Sequence, residues 1–232
     1  MRHVLVTGAN RGLGLELARQ CLKRGDYVFA GCRKPEQAAA LQSLATIYEG
    51  RLTLLALDVT DEESLDACKE IVSARTDALD LLFNNAAIHP GDETLVALSA
   101  ETLIHTFRVN AVGPMLVARC YLDLLNAADS AKIINISSEA GSISRMQHHR
   151  GYAYYASKAA LNMFTRALAW DENLTGVIVI AIHPGWVRTD MGGDLAPLSP
   201  ADSVAGILRV VDDLDGTSSG KFYTYEGHEY PW

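Results

Sequence analysis

Seven short apolar runs, separated by longer stretches in which apolar residues recur at helical spacing, constrain this chain more than any other feature. The runs fall at residues 3–7, 27–32, 52–57, 79–83, 131–136, 177–182 and 221–225, and each reads as a strand. Between them Leu13, Leu17, Cys21 and Leu22 recur at helical intervals, and similar patterns occupy 38–44, 61–74, 102–125, 153–170 and 201–211. Asp61 is placed to cap the helix that follows Thr60. Alternation of this kind is the pattern of βα units. It predicts a doubly wound, seven-stranded parallel sheet with helices on both faces. A ligand crevice is then expected at the carboxyl ends of the strands, where the strand order reverses.

Length and composition agree with one domain spanning residues 1–232. A chain of 232 residues, 49% hydrophobic, can bury a sizeable core without disulfides or metals. The formal net charge is −8 and no Lys/Arg run exceeds two residues, so neither a nucleic-acid partner nor a polybasic membrane patch is expected. The apolar stretch at the start is too short for a signal segment or a membrane span and runs into a glycine turn, which points to a cytoplasmic protein. Cys21, Cys32, Cys68 and Cys120 are isolated and read as reduced thiols, mostly buried. The His residues, including the pair His148-His149, lack ligand spacing, and no metal is expected. Residues 192–200 are rich in Gly and Pro and read as a surface loop, so a substrate loop is placed at about 190–200.

Thr7-Gly8-Ala9-Asn10-Arg11-Gly12-Leu13-Gly14 follows the first apolar run and opens a helix, which is the context of a dinucleotide loop in a Rossmann fold. Glycines let the backbone approach a diphosphate, and the helix N-terminus offers it unpaired N–H groups. Three glycines in a turn can also be purely structural; their place between Val4-Leu5-Val6 and Leu13 favours the binding role. At the end of the second run an acid would meet a ribose 2′-hydroxyl and a base a 2′-phosphate. The sequence there is Ala30-Gly31-Cys32-Arg33-Lys34, with no acid before Glu36, and Arg11 adds a further cation. NADP(H) is favoured over NAD, the alternative being that Arg33 and Lys34 are ordinary solvated charges.

Tyr154 and Lys158 are four residues apart and share one face of a predicted helix. A free phenol titrates near 10, so an adjacent ammonium is the natural means of stabilising its phenolate. Tyr152 and Tyr155 have no Lys four residues on and read as packing or substrate-wall residues. The run Ile133-Ile134-Asn135-Ile136-Ser137-Ser138 reads as a buried strand ending in two hydroxyls, and Asn110 lies in a long amphipathic helix, where a buried amide must be paired.

These motifs, in this order, resemble the short-chain dehydrogenase/reductase superfamily, whose glycine spacing G-x-x-x-G-x-G this chain shares. The resemblance spans essentially the whole chain. It implies that Asp58 and Val59 sit beside the adenine, and that the Asn84-Asn85-Ala86-Ala87 segment contacts the cofactor and the central sheet. Ala87 stands where Gly is usual, which suggests a backbone that does not need positive φ. It further implies that Ser138 hydrogen-bonds the substrate carbonyl, that Ser137 contacts backbone, and that Lys158 holds the ribose. Asn110 would hold a water linking Lys158 to solvent, and Pro184, Gly185, Val187 and Thr189 would clasp the nicotinamide. His183 is expected to be a strand-end residue.

Gly141-Ser142-Ile143, Asn162-Met163, Asp190-Met191-Gly192-Gly193 and Glu229-Tyr230-Pro231-Trp232 look like the C-factor and sniffer-type carbonyl reductases. That implies NADPH-linked reduction of an aldehyde, ketone or quinone, with Tyr154 as proton donor. An NADP(H)-binding redox sensor or signalling protein with little turnover is the alternative. The basic insert at 144–150 lies beside the expected substrate mouth. Helices 102–125 and 153–170 form dimer faces in many relatives, so a homodimer or homotetramer is expected.

Overall fold

The computed structural model describes residues 1–91, 93–147 and 151–232, so His148, His149 and Arg150 of the predicted insert lie outside the described residues. Seven parallel strands form one sheet: β1 (His3–Thr7), β2 (Tyr27–Cys32), β3 (Leu52–Ala56), β4 (Leu81–Asn84), β5 (Lys132–Ile136), β6 (Ile178–His183) and β7 (Phe222–Thr224). Their spatial order is β3-β2-β1-β4-β5-β6-β7, so the direction of winding reverses between β1 and β4. Every predicted strand is present, with ends displaced by no more than two residues.

Helices cover both faces. Successive residues of a strand point to opposite sides, and β1 shows the consequence. Val4 and Val6 join one core with Leu17, Cys21 and Ile207, whereas Leu5 joins the other with Leu65, Val117 and Leu168. The first core is roofed by α1 (Gly12–Lys23), α2 (Ala39–Ile47) and α8 (Pro200–Asp213). The second is roofed by α3 (Glu62–Ser73), α5 (Gly113–Cys120), α6 (Leu122–Asn126) and α7 (Tyr152–Leu168). Asp61 caps α3 as expected, accepting the Glu63 N–H at 3.1 Å. Among the described residues no helix is long and apolar enough to cross a membrane.

The helix predicted over 102–125 is not continuous. It consists of α4 (Ala100–Phe107), a π turn at Arg108–Val112, then α5 and α6. Pro114 is the cause we assign. Proline has no N–H to give the carbonyl four residues back, here Asn110, and its ring crowds that carbonyl. The backbone widens instead, and the Gly113 N–H reaches the Arg108 carbonyl five residues earlier.

The second core is not wholly apolar. The Asn84 amide donates to the Asn135 side-chain oxygen at 2.8 Å, Asn135 donates to Thr165 Oγ1 at 2.8 Å, and Thr165 donates to the Leu161 carbonyl at 2.7 Å. This ladder joins β4 to β5 and β5 to α7. Replacing Thr165 by Val keeps the shape and strands the Asn135 amide, so Thr165→Val is expected to lower unfolding free energy by about 1–3 kcal/mol. Urea titration checks it; an unchanged midpoint would show that the ladder contributes nothing to stability.

Candidate active site

Four loops converge at the carboxyl end of the sheet, and the site is built from them. The loop after β1 turns through Gly8 and Gly12, at φ +65° and +55°, a region where a side chain is strained. Gly14 is needed for space. A Cβ there would fall 2.5 Å from the Asn85 amide nitrogen and closer still to the Gly8 carbonyl oxygen. The loop after β4 packs directly on it: the Thr7 hydroxyl accepts the N–H groups of Asn85 and Ala86, each at 3.0 Å, and the Asn85 amide donates to the carbonyls of Thr7 and Gly8. Asn85 therefore spends its side chain on holding two loops together. Ala87, like every other non-glycine among the described residues, avoids positive φ, in line with the absence of Gly there.

The start of α1 suits an anion. Arg11 occupies the N-cap position without any side-chain cap, and the first turn contains no acid, so its N–H groups and the positive end of the helix dipole are available. Asn10, Gly12 and Leu13 lie on this turn, and with Gly8 and Gly14 they form a cradle into which a diphosphate fits by charge and by backbone access. Thr189 faces the cradle, its methyl 3.4 Å from where a Cβ on Gly12 would stand. Gly12, Leu15, Thr189 and Asp190 line a cleft of about 410 Å³.

Arg33 and Lys34 are exposed just beyond β2, whose Gly31 carbonyl accepts the Ala9 N–H at 2.9 Å. Arg11 does not turn toward them. It reaches across the cleft to Asp190 at 2.7 Å, the counter-charge on the facing loop. Asp58 accepts from both the backbone and the hydroxyl of Thr60, and Val59 packs where a side chain on Gly113 would otherwise sit. After β6, the Pro184 carbonyl accepts the Ser203 hydroxyl at 2.6 Å, Gly185 adopts φ +82° against Leu198, and Val187 bridges to Leu198. Thr189 Oγ1 accepts the Gly192 N–H at 3.1 Å, closing the turn that continues into residues 190–200.

On the other side of the crevice α7 carries Tyr154 and Lys158 one turn apart. Ser138 lies close enough to the Tyr154 hydroxyl to favour its ionisation, so the two side chains are neighbours. Burial nevertheless dominates and pushes the phenol up to about 12, with the charges of Tyr155 and Glu139 adding to the rise. Lys158 is buried and donates to the Ile136 carbonyl at 2.8 Å, with its nitrogen 5.7 Å from the centre of the Tyr154 ring. Burial pushes its ammonium down to about 7. The expected lowering of the phenol by Lys158 is thus not present in this arrangement: the amine is directed at a carbonyl and its own charge is disfavoured by the same desolvation.

Ser138 is held by capping the turn at Glu139–Gly141, where it accepts the Ala140 N–H at 3.1 Å. Ser137 turns inward and, contrary to expectation, bonds a side chain: its hydroxyl donates to Asn162 Oδ1 at 2.6 Å, the geometry open to a strand-end residue facing α7. Asn162 in turn donates to the Gly141 carbonyl. Asn110 sits in the π turn, fully buried, accepting the Ile88 N–H and donating to the Ile88 carbonyl and to Ser157 Oγ. Ser157 donates to the Tyr154 carbonyl, so Asn110 connects the β4 loop to the helix of Tyr154. His183 ends β6, accepts the Glu139 N–H and contacts the Tyr230 ring, in agreement with a strand-end role.

Two residues near Tyr154 escape a reading of the sequence. The N-terminus of α7 is capped by no side chain of its own. Glu93, sixty residues away, accepts the Ala153 N–H at 2.7 Å instead, and no local spacing announces such a long-range cap. His89 places its ring 4.6 Å from that of Tyr154; its position two residues after the Asn84–Ala87 segment was the available signal.

Comparison with known proteins agrees with this architecture. The family model for short chain dehydrogenase matches residues 2–198. C-signal from Myxococcus xanthus is 39% identical over 157 residues, covering 68% of this chain and 95% of that protein. The NADPH-bound carbonyl reductase from chicken fatty liver superposes with a TM-score of 0.95 at 38% identity, covering 100% of this chain and 99% of that one. The carbonyl reductase Sniffer of D. melanogaster gives 0.94 at 33% identity over the whole of both chains. A single-domain Rossmann fold, the crevice at its switch point and these relatives together show that the chain belongs to the short-chain dehydrogenase family of oxidoreductases.

Proposed function

We propose that this protein is an NADPH-dependent carbonyl reductase acting on an aldehyde, ketone or quinone. The observation that carries this reading is Ser138 beside the Tyr154 hydroxyl, one helical turn from a buried Lys158 and across the crevice from an uncapped α1. NADPH, when bound, would supply the hydride. Tyr154 then delivers the proton to the carbonyl oxygen, and Ser138 donates a hydrogen bond to that oxygen as charge grows on it. A phenol held at about 12 is fully protonated at neutral pH. It therefore carries the proton that reduction of a carbonyl oxygen requires.

Lys158, poised near 7, can return a proton to the phenolate, and Asn110 and Ser157 hold the helix that carries both residues. The residues fit the cofactor: Gly8, Asn10, Gly12, Leu13 and Gly14 would take the diphosphate, and Arg33 the 2′-phosphate, joined by Arg11 once it leaves Asp190. Asp58, Val59, Asn85, Ala86 and Ala87 would flank the adenosine half. Pro184, Gly185, Val187 and Thr189 would hold the nicotinamide end. Residues 190–200 form the substrate loop in this reading, and exposed Met191 and Leu195 within it, with Trp186 just before it, favour an apolar substrate. Exposed Ile104 on α4 and Met163 on α7 support a homodimer or homotetramer, and the free cysteines support a cytoplasmic location.

The decisive experiment measures NADPH and NADH oxidation with a panel of carbonyl compounds. NADPH should be preferred, and Tyr154→Phe should lower kcat/KM by about 10²–10⁴-fold while NADPH binding, followed by fluorescence, is retained. Tight NADPH binding without Tyr154-dependent turnover would instead support a sensor. Glu93→Ala should cost about 1 kcal/mol of stability through the lost cap and reduce kcat more than KM, with Glu93→Gln restoring both; equal behaviour of the two variants would deny Glu93 a positioning role.

The depressed Lys158 adds a pH signature. Between its folded value of about 7 and its ordinary 10.5 the unfolded chain binds the extra proton, so wild-type stability rises with pH through that window and the penalty is full below it. From pH 7 to 9 this amounts to about 2 kcal/mol. Lys158→Met should abolish that rise in urea melts; a parallel pH dependence in both proteins would refute it.

A further inference from the structure

Among the described residues, Tyr154 has an aromatic neighbour from outside its own helix that no step above employs. The His89 ring lies 4.6 Å from the Tyr154 ring, with the planes inclined at 43°. The loop that carries it is anchored on both sides, by the paired bonds of Ile88 with Asn110 and by Glu93 on the first turn of α7. The orientation of the ring is set as well. Nδ1 accepts the Gly91 N–H at 3.0 Å. A ring nitrogen that accepts carries no proton, so the neutral imidazole bears its proton on Nε2. Among the described residues Nε2 has no partner. The structure therefore holds a half-buried N–H donor on a ring that packs beside that of the tyrosine proposed to protonate the substrate.

Resting on the reductase reading, we propose that His89 is a specificity-determining residue that donates a hydrogen bond from Nε2 to a second oxygen of the substrate. Tyr154 and His89 are adjacent rings, so the two donors serve oxygens on neighbouring carbons or on carbons one further apart. The surrounding charge decides what kind of oxygen that is. Glu93 lies on the α7 terminus and the Glu139 charge is felt at Tyr154, so a free carboxylate is repelled and a neutral carbonyl is accepted. The favoured substrates are vicinal diketones, ortho-quinones and oxo-esters, ahead of isolated ketones and of oxo-acids. An unsatisfied half-buried donor also penalises a compound that cannot reach it, which sharpens the discrimination.

The test uses three compounds on one carbon skeleton: an aryl ketone, the corresponding vicinal diketone and the corresponding oxo-acid. It compares wild type with His89→Phe, which keeps a ring against Tyr154, and His89→Gln, which restores an N–H donor. His89→Phe should lower kcat/KM for the diketone about tenfold and leave the simple ketone within about twofold, with partial recovery in His89→Gln. Equal loss on both compounds, or no loss on either, overturns the proposal, as does an oxo-acid reduced as well as the diketone. Absence of wild-type turnover on all three would overturn the reductase reading itself. Calorimetric titration of the diketone into the protein with NADP bound then decides the role of His89: a weakening of about tenfold in His89→Phe upholds it, and an unchanged Kd overturns it.

Discussion

No side chain can exist at residue 14, and much of the site follows from that. The backbone of α1 touches the Gly8 carbonyl, the Asn85 amide fills the remaining space, and Thr7 gathers the N–H groups of the next loop. The carboxyl ends of β1 and β4 are thereby fastened to each other at the point where the sheet changes direction. Every other group is placed relative to this knot. The open end of α1 faces the crevice because the turn before it is so tight. The β4 loop leaves it at a fixed angle toward Asn110 and α7.

The second principle of the architecture is polar pairing inside the core. Asn84, Asn135 and Thr165 form one chain of bonds, and Ser137, Asn162 and Gly141 form another. An unpaired amide in an apolar layer is costly, so such chains are satisfied in few registers. They specify how far α7 slides along β5, and with it where Tyr154 and Lys158 stand relative to Ser138. Lys158 is the extreme member of this set: a buried amine held by one carbonyl, its charge resisted by its surroundings.

Much of this was legible in the chain. Apolar runs and helical spacing located seven strands and most helices, because parallel strands buried on both faces leave unbroken apolar runs and the helices that cover them are apolar on one side only. The glycine turn, Ser138, Tyr154, Lys158 and Asn110 could be singled out from their motifs and from the family resemblance those motifs carry, and the fold brings Ser138, Tyr154 and Lys158 together. What could not be read was long range or subtle. Glu93 caps a helix sixty residues away. Ser137 chose a side chain over backbone, and the direction of Lys158 toward Ile136 depends on packing rather than on spacing. Arg11 turned to Asp190 across the cleft, a pairing that exists only once two loops face each other. The break in the helix at 102–125 was within reach, since Pro114 stands in its middle, but periodicity alone passes over a single proline.

That break has a geometric consequence. A π turn accommodates one residue more than the regular helix would hold, so α4 and α5 are related as though one residue had been inserted between them. Each residue of a regular helix advances the azimuth by about 100°. Without the extra residue, the faces that α4 and α5 present would be out of phase by that angle. With α5 seated on the sheet, α4 would turn its buried Thr106 outward and bring a solvent-facing residue inward. The widened turn is thus a phase correction. It lets one helical stretch satisfy two partners, the sheet at one end and α7 at the other, while Asn110 stands at the node between them.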